Sequence, residues 1–218
     1  LCLGSDTHYP KSARMRCFVL GKNTRLGAKE LRENEAMQAV AHPALQPARQ
    51  FVDAQEQAHA LSGWNQDYLQ LSAGAFQGQL SQVQGPGIRL FIEQVQQTVL
   101  QTGVLAPNVL ALGLPLQASG TGLFCGQACG ADDLHLFSGS SGFEFRTSRQ
   151  HTMLGIELQL EPTWLAAANQ GEATPLRLPS QASRFHLHDQ ARQALRNYLL
   201  KLLATAQAQP EVLASPAV

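Results

Sequence analysis

Charge is what this chain has least of. Only 15% of its 218 residues are Asp, Glu, Lys or Arg, and the two signs cancel at 16 each. A balanced surface provides no basic field for a polyanion, which excludes nucleic-acid binding by anything other than a local patch. Cysteine is equally sparse. Cys2, Cys17, Cys125 and Cys129 are too few and too irregularly spaced for a disulfide framework in a chain of this length. No run of about eighteen apolar residues occurs, which argues against a membrane-spanning helix and against a membrane partner. The opening Leu-Cys-Leu-Gly-Ser lacks an initiator methionine and the charged-then-apolar pattern of a signal peptide, so a cytoplasmic protein is expected. Also missing are a Gly-x-Ser-x-Gly elbow, a phosphate loop and a dinucleotide fingerprint after a strand. Ser138-Gly-Ser-Ser-Gly has no histidine or acid placed to activate a serine. No catalytic residue, and no cofactor, is expected.

What the chain does have is alternation. Apolar residues make up 44% of it, ample for a core at this length, and glutamine supplies much of the remaining polarity. Tyr68–Ser72 and Ala75–Val83 alternate apolar with polar, the period of a half-buried strand, and Gly74 between them reads as a bend or hairpin. Further runs follow at Ile88–Gln96 after a Gly85-Pro86-Gly87 turn, Thr98–Leu105, Val109–Leu116, Asp133–Phe137, Phe143–Thr147 and Thr152–Leu160. About eight short strands divided by Gly-rich turns favour an antiparallel sandwich or barrel. Helices flank them. Asp53 followed by Glu56 reads as a capping box for a helix burying Ala58 and Leu61, after a linker at Ala41–Pro47. Pro162–Ala168 reads as a short helix and Gly171–Gln181 as a loop. Asp189 then caps a long helix whose apolar stripe is Ala191, Leu195, Tyr198, Leu199, Leu202 and Ala206, widened by Leu200 and Leu203. The class is therefore mainly β with C-terminal helices, α+β.

The candidate site residues cluster early. Arg89, Phe91 and Glu93 share one face of the Ile88–Gln96 strand. Turned inward, they offer a small ligand one cation, one anion and one ring. Turned outward, they form a solvated face with an ion pair of little worth. Trp64 and Tyr68 either cap the mouth of a barrel or pack the preceding helix. Cys125 and Cys129 lack the second pair that a zinc site requires, and His135 does not replace it. His186 and His188 read as solvated or capping residues. No metal site is expected.

The run from Phe51 to Gly63-Trp64, followed by Tyr68-Leu-Gln-Leu-x-x-Gly-x-Phe-x-Gly, resembles the N-terminal effector-sensing region of AraC/XylS-family transcriptional regulators. Leu114-Pro115-Leu116 and the terminal amphipathic helix extend the likeness to about Leu203. The resemblance implies a cupin-like effector-binding domain over 51–170, preceded by a leader and linker over 1–50. A loop, a dimerisation or linker helix and a tail follow over 171–218. It also implies a small-molecule effector held inside the barrel by Trp64, Tyr68, Arg89, Phe91 and Glu93. A homodimer is implied through Leu195, Tyr198, Leu199 and Leu202, and DNA contact only through a C-terminal helix-turn-helix domain. The chain departs from the family pattern by ending at Val218 with no such domain. It also lacks the His and Glu pattern of metal-binding cupins, so a metal-free pocket is expected. The competing expectation is a metal-dependent cupin-like enzyme using Cys125, Cys129 and the histidines. Arg89→Ala is expected to lower effector affinity and leave the fold intact, and Leu199→Asp or Leu202→Asp to weaken self-association.

Overall fold

A computed structural model describes residues 44–139, 141–160 and 181–214. The first elements are strand β1 (Ala44–Phe51), helix α1 (Ala54–Ala58), β2 (Gln66–Gln70), β3 (Gly78–Gly85), β4 (Ile88–Val95), β5 (Val99–Val104) and β6 (Val109–Ser119). There follow β7 (Gly122–Phe124), β8 (Gln127–Cys129), β9 (Asp133–Ser138), β10 (Gly142–Arg146), β11 (Arg149–Gln159) and β12 (Ser183–His186). Helix α2 (Asp189–Ala208) and a 3-10 turn at Pro210–Ala214 end the described chain. The strands make a seven-stranded sheet ordered β1-β3-β4-β11-β6-β9-β12 and a five-stranded sheet ordered β2-β5-β10-β7-β8. Two antiparallel sheets with a C-terminal helix match the class read from the alternation.

Local chemistry accounts for the boundaries. The Asp53 carboxylate accepts the Glu56 backbone N–H at 2.8 Å, the expected cap of α1, and Ala58 and Leu61 are buried as the pattern requires. Pro86-Gly87 closes the β3–β4 hairpin, with Gly87 at φ +71°. Cys125 and Gly126 form a two-residue hairpin loop between β7 and β8, both at positive φ. That turn explains the spacing of Cys125 and Cys129 without a metal.

Four readings of the sequence need correction. Ala41–Pro47 was expected to be a linker, yet β1 begins at Ala44 and pairs with β3; a register shift between Gln46 and Arg49 accommodates Pro47 on this edge strand. The break at Gly74, read as a bend or hairpin, is a bend and not a hairpin, because β2 joins β5 in one sheet while β3 joins β1 and β4 in the other. Asp189 does not cap α2: His188 occupies the cap position without a side-chain bond, and Asp189 accepts from Arg192 at 2.8 Å one turn on. The short strands β7, β8 and β12 escaped notice because three or four residues are too few to show a period. The helix expected at Pro162–Ala168 and the loop over 171–180 lie outside the described residues.

Two cores result. One fills the space between the sheets, with Trp64, Tyr68, Phe91, Phe124, Phe137 and Phe145 among its members. The other lies on the outer face of the large sheet, where Val83, Leu90, Leu154 and Ile156 meet Leu199, Leu203 and Ala206 of α2 and Leu213 beyond it. Strand β4 serves both, sending Phe91 and Val95 to the first and Leu90 to the second. Of the expected dimerisation residues, Leu199 is thus buried on the chain's own sheet, Leu195 and Leu202 are partly covered, and Tyr198 is 62% exposed.

A charge at Leu199 therefore attacks the fold before it can report on self-association. Leu199→Ala is expected to cost about 2–5 kcal/mol, the usual range for a buried leucine. Tyr198→Ala should shift stability by no more than about 0.5 kcal/mol. Urea denaturation of the two variants checks both values.

Candidate functional site

The site grows out of β4. Alternation sends Arg89, Phe91 and Glu93 to the inter-sheet side, and all three are buried, with the arginine 5% and the glutamate 8% exposed. The solvated-face reading fails because β4 has no solvated face: α2 covers the side opposite. Trp64 and Tyr68 are buried in the same core.

Glu93 draws donors from three elements. Its Oε1 accepts the Tyr68 hydroxyl of β2 at 2.6 Å and the Gln57 amide of α1 at 3.0 Å. Its Oε2 accepts only the Gln101 amide of β5, at 3.4 Å. Burial pushes the Glu93 carboxyl above its ordinary value, and the three hydrogen bonds oppose that rise. Tyr68 is pushed up as well, first by burial and then by the neighbouring carboxylate. Among the described residues no cation lies within ion-pair distance of Glu93.

Arg89 is already occupied. Its Nη1 donates to Glu157 Oε2 at 3.1 Å and to the Ser62 carbonyl at 2.9 Å, and its Nη2 donates to Ser62 Oγ at 3.1 Å. Trp64 donates its indole N–H to the same Glu157 oxygen at 2.7 Å. Removing Arg89 would strand a largely buried carboxylate, which costs stability. The expectation that Arg89→Ala leaves the fold intact is corrected on that ground.

Beside Glu93 lies a small cavity of about 20 Å³, walled by Trp64, Phe91, Glu93, Gln101, His151 and Met153 among others. That is room for about one water. One wall is unusual: Gly113 of β6 lines it, in register with Gly155 of β11 beside it at the middle of the large sheet. A Cβ on Gly155 would come within 2.1 Å of the Phe91 ring, and one on Gly113 within 2.8 Å of the Met153 sulfur. Phe91 and Met153 thus lean into space that the sheet itself leaves open. A larger hollow of about 610 Å³ lies elsewhere, lined by Gln77, Gln96, Gln97, Ser119, Arg149 and Gln150. It is open and polar, without a buried charged group, so the inter-sheet cavity is the better candidate.

Two histidines enter this interior that the sequence did not assign to the ligand site: His135, weighed only as a partner for Cys125 and Cys129, and His151. His135 stacks on Phe124 at 4.6 Å and lies edge-on to Phe145, which also meets His151 at 5.2 Å. Among the described residues neither ring nitrogen of either histidine has a partner, and the Ser148 hydroxyl beside them has none. Burial is the main reason that His135 is pushed down to about 3 and His151 to about 4. The available signal was position: both stand on strands at inward places in the alternation. His186, expected to be solvated or capping, is exposed, and its ring reaches Asp133 at 3.3 Å, where Arg184 already donates at 2.7 Å. Cys125 is exposed, Cys129 is buried with its thiol pushed up to about 11, chiefly by burial, and no metal-ligating group of three or more forms among the described residues.

In fold the chain is similar to the AraC-like transcriptional activator CuxR. The two share 12% identity and a TM-score of 0.51, over 78% of this chain and 66% of the activator, less than two thirds of that protein. A Pseudomonas aeruginosa protein described as glyoxylate-induced matches at 15% identity and a TM-score of 0.33, over 59% of this chain and 44% of its own. A point mutant of Bacillus subtilis oxalate decarboxylase matches at 14% and 0.25, over 81% and 52%. Those two scores are too low to carry an argument. No family model matches the chain. No described helix is long and apolar enough to cross a membrane.

The histidines make stability depend on pH. Both are neutral when folded and regain the ordinary value near 6.5 when unfolded, so the unfolded chain binds more protons below that pH. Stability is fully present above pH 6.5 and drains as pH falls toward 4 and 3. By pH 4 each histidine should remove about 3 kcal/mol. Glu93 acts in the opposite sense, losing stability as pH rises through its folded value. His135→Phe removes one histidine term alone, so its stability should fall less than the parent's between pH 7 and pH 4 in urea titrations.

Proposed function

We propose that the chain is the non-catalytic, ligand-sensing and dimerising module of an AraC-type transcriptional regulator. A small effector enters between the two sheets and changes how attached DNA-reading units are presented. The observation that carries this reading is a carboxylate, Glu93, buried with no cation among the described residues beside a cavity that Gly113 leaves open in its wall. Such a group is costly to bury unless something arrives to use it. The shared fold with an AraC-like activator supports the regulatory setting.

The route from site to helix is short. Phe91 and Glu93 face the cavity, while Leu90 between the strand's inner positions packs under α2 with Val83, Leu154 and Ile156. An effector that displaces Phe91 from above Gly155 loads the strand that seats the helix. The ligand then favours one arrangement of sheet and helix by the difference in its affinity for the two. Tyr198, exposed on α2, is the natural member of a dimer contact, with the uncovered parts of Leu195 and Leu202 beside it.

A thermal-shift screen of metal-free protein, followed by calorimetry, tests the reading. At least one small molecule should bind once per chain and raise the melting temperature. Gly113→Ala, which pushes the flexible Met153 thioether into the cavity, should keep the fold and weaken that binding at least tenfold. Stoichiometric zinc, iron or manganese in the purified protein would contradict the metal-free pocket and favour the cupin-like enzyme. So would turnover of any compound that binds.

A further inference from the structure

The charges between the sheets do not balance. Arg89 is paired in charge with Glu157 and hydrogen-bonded to Ser62, whereas Glu93 has hydrogen-bond donors but no positive charge among the described residues. Lone pairs show where the vacancy lies. Oε1 of Glu93 already takes two short bonds, whereas Oε2, on the side shared with Gln101, takes a single contact of 3.4 Å. His151 borders the same cavity with both ring nitrogens unpartnered among the described residues. A neutral imidazole offers one N–H and one lone pair, and a primary ammonium brings three donors and a charge. Around both stand aromatic rings: Trp64 lies 5.6 Å from Phe91 and 5.0 Å from Phe137, edge to face.

We propose that the inter-sheet site takes the ammonium group of a small amine with an apolar body, Glu93 serving as counter-ion through Oε2 and His151 as a second acceptor. This rests on the sensing reading above and narrows its ligand class. Other head groups fit worse. A carboxylate would meet Glu93 in repulsion, and the arginine that could receive it is committed to Glu157. A neutral alcohol would leave the buried charge uncompensated. The rings favour a cation over their faces and an apolar body against their edges. His151 is held neutral by its burial and keeps its accepting nitrogen at ordinary pH.

A graded series of primary amines from ethylamine to 2-phenylethylamine, each matched by its alcohol and its carboxylate, tests this by calorimetry on the purified chain. One size of amine should bind at least tenfold tighter than its matched alcohol, and the carboxylate should not bind. Glu93→Gln keeps the shape and should abolish the amine's advantage over its matched alcohol. His151→Gln, which changes no charge, should weaken the amine several-fold. Alcohols or acids binding as well as amines, or Glu93→Gln binding the amine with parental affinity, would overturn the amine assignment. If amines fail but compounds of another class bind and lose affinity in Gly113→Ala, the amine class falls and the sensing reading stands. If nothing in the wider screen binds, both fall.

Discussion

Strand β4 lies under α2 on one side and under the five-stranded sheet on the other, and it carries both Arg89 and Glu93. A strand covered on both faces has nowhere to solvate a charge, so each must be satisfied inside the protein. The surrounding architecture meets that demand. The segment after α1 brings Ser62 and Trp64 to the Arg89–Glu157 pair, while Gln57, Tyr68 and Gln101 reach Glu93 from α1, β2 and β5. The two solutions differ in kind. The arginine end is an ion pair with Glu157 that leaves the Arg89 Nε without a partner among the described residues, whereas the glutamate end is a carboxylate held by neutral donors.

That asymmetry organises the interior into a structural end and an adaptable end. Trp64 joins them, its N–H on Glu157 and its ring in the aromatic core that walls the cavity. The adaptable end owes its freedom to Gly113 and Gly155, which leave the middle of the sheet bare for Phe91 and Met153 to cover. A thioether and a single ring are easier to displace than a packed β-branched layer, because neither is anchored by the strand beneath. The same strand seats α2, so a change in the cavity and a change at the helix share one mechanical element.

Much of this was legible in the residues, and the limits are physical. Alternation along Ile88–Gln96 gave the strand and grouped Arg89, Phe91 and Glu93 correctly, but a period of two cannot say which face points inward. That depended on Leu199, Leu203 and Ala206 covering the opposite face, a contact made across more than a hundred residues of chain. The helix stripe was read as apolar and able to pack on a partner or on the barrel, with Leu195, Tyr198, Leu199 and Leu202 assigned to a dimer, since a stripe does not declare what it packs on. Long strands and the Asp53 cap were visible because they repeat or cap locally. The three-residue strands around Cys125-Gly126 were not. The twin glycines and the orphaned nitrogens of His135 and His151 arise only when β6, β9 and β11 are brought side by side.

Amide hydrogen exchange, with and without a saturating small molecule found to bind, tests most directly whether the cavity and the helix are one device. The account predicts altered protection along β4 and β11 around Phe91 and Gly155, together with a change in α2 between Leu195 and Ala206. Protection changes confined to the open hollow at Gln77 and Arg149, or binding that leaves α2 unaltered, would contradict it.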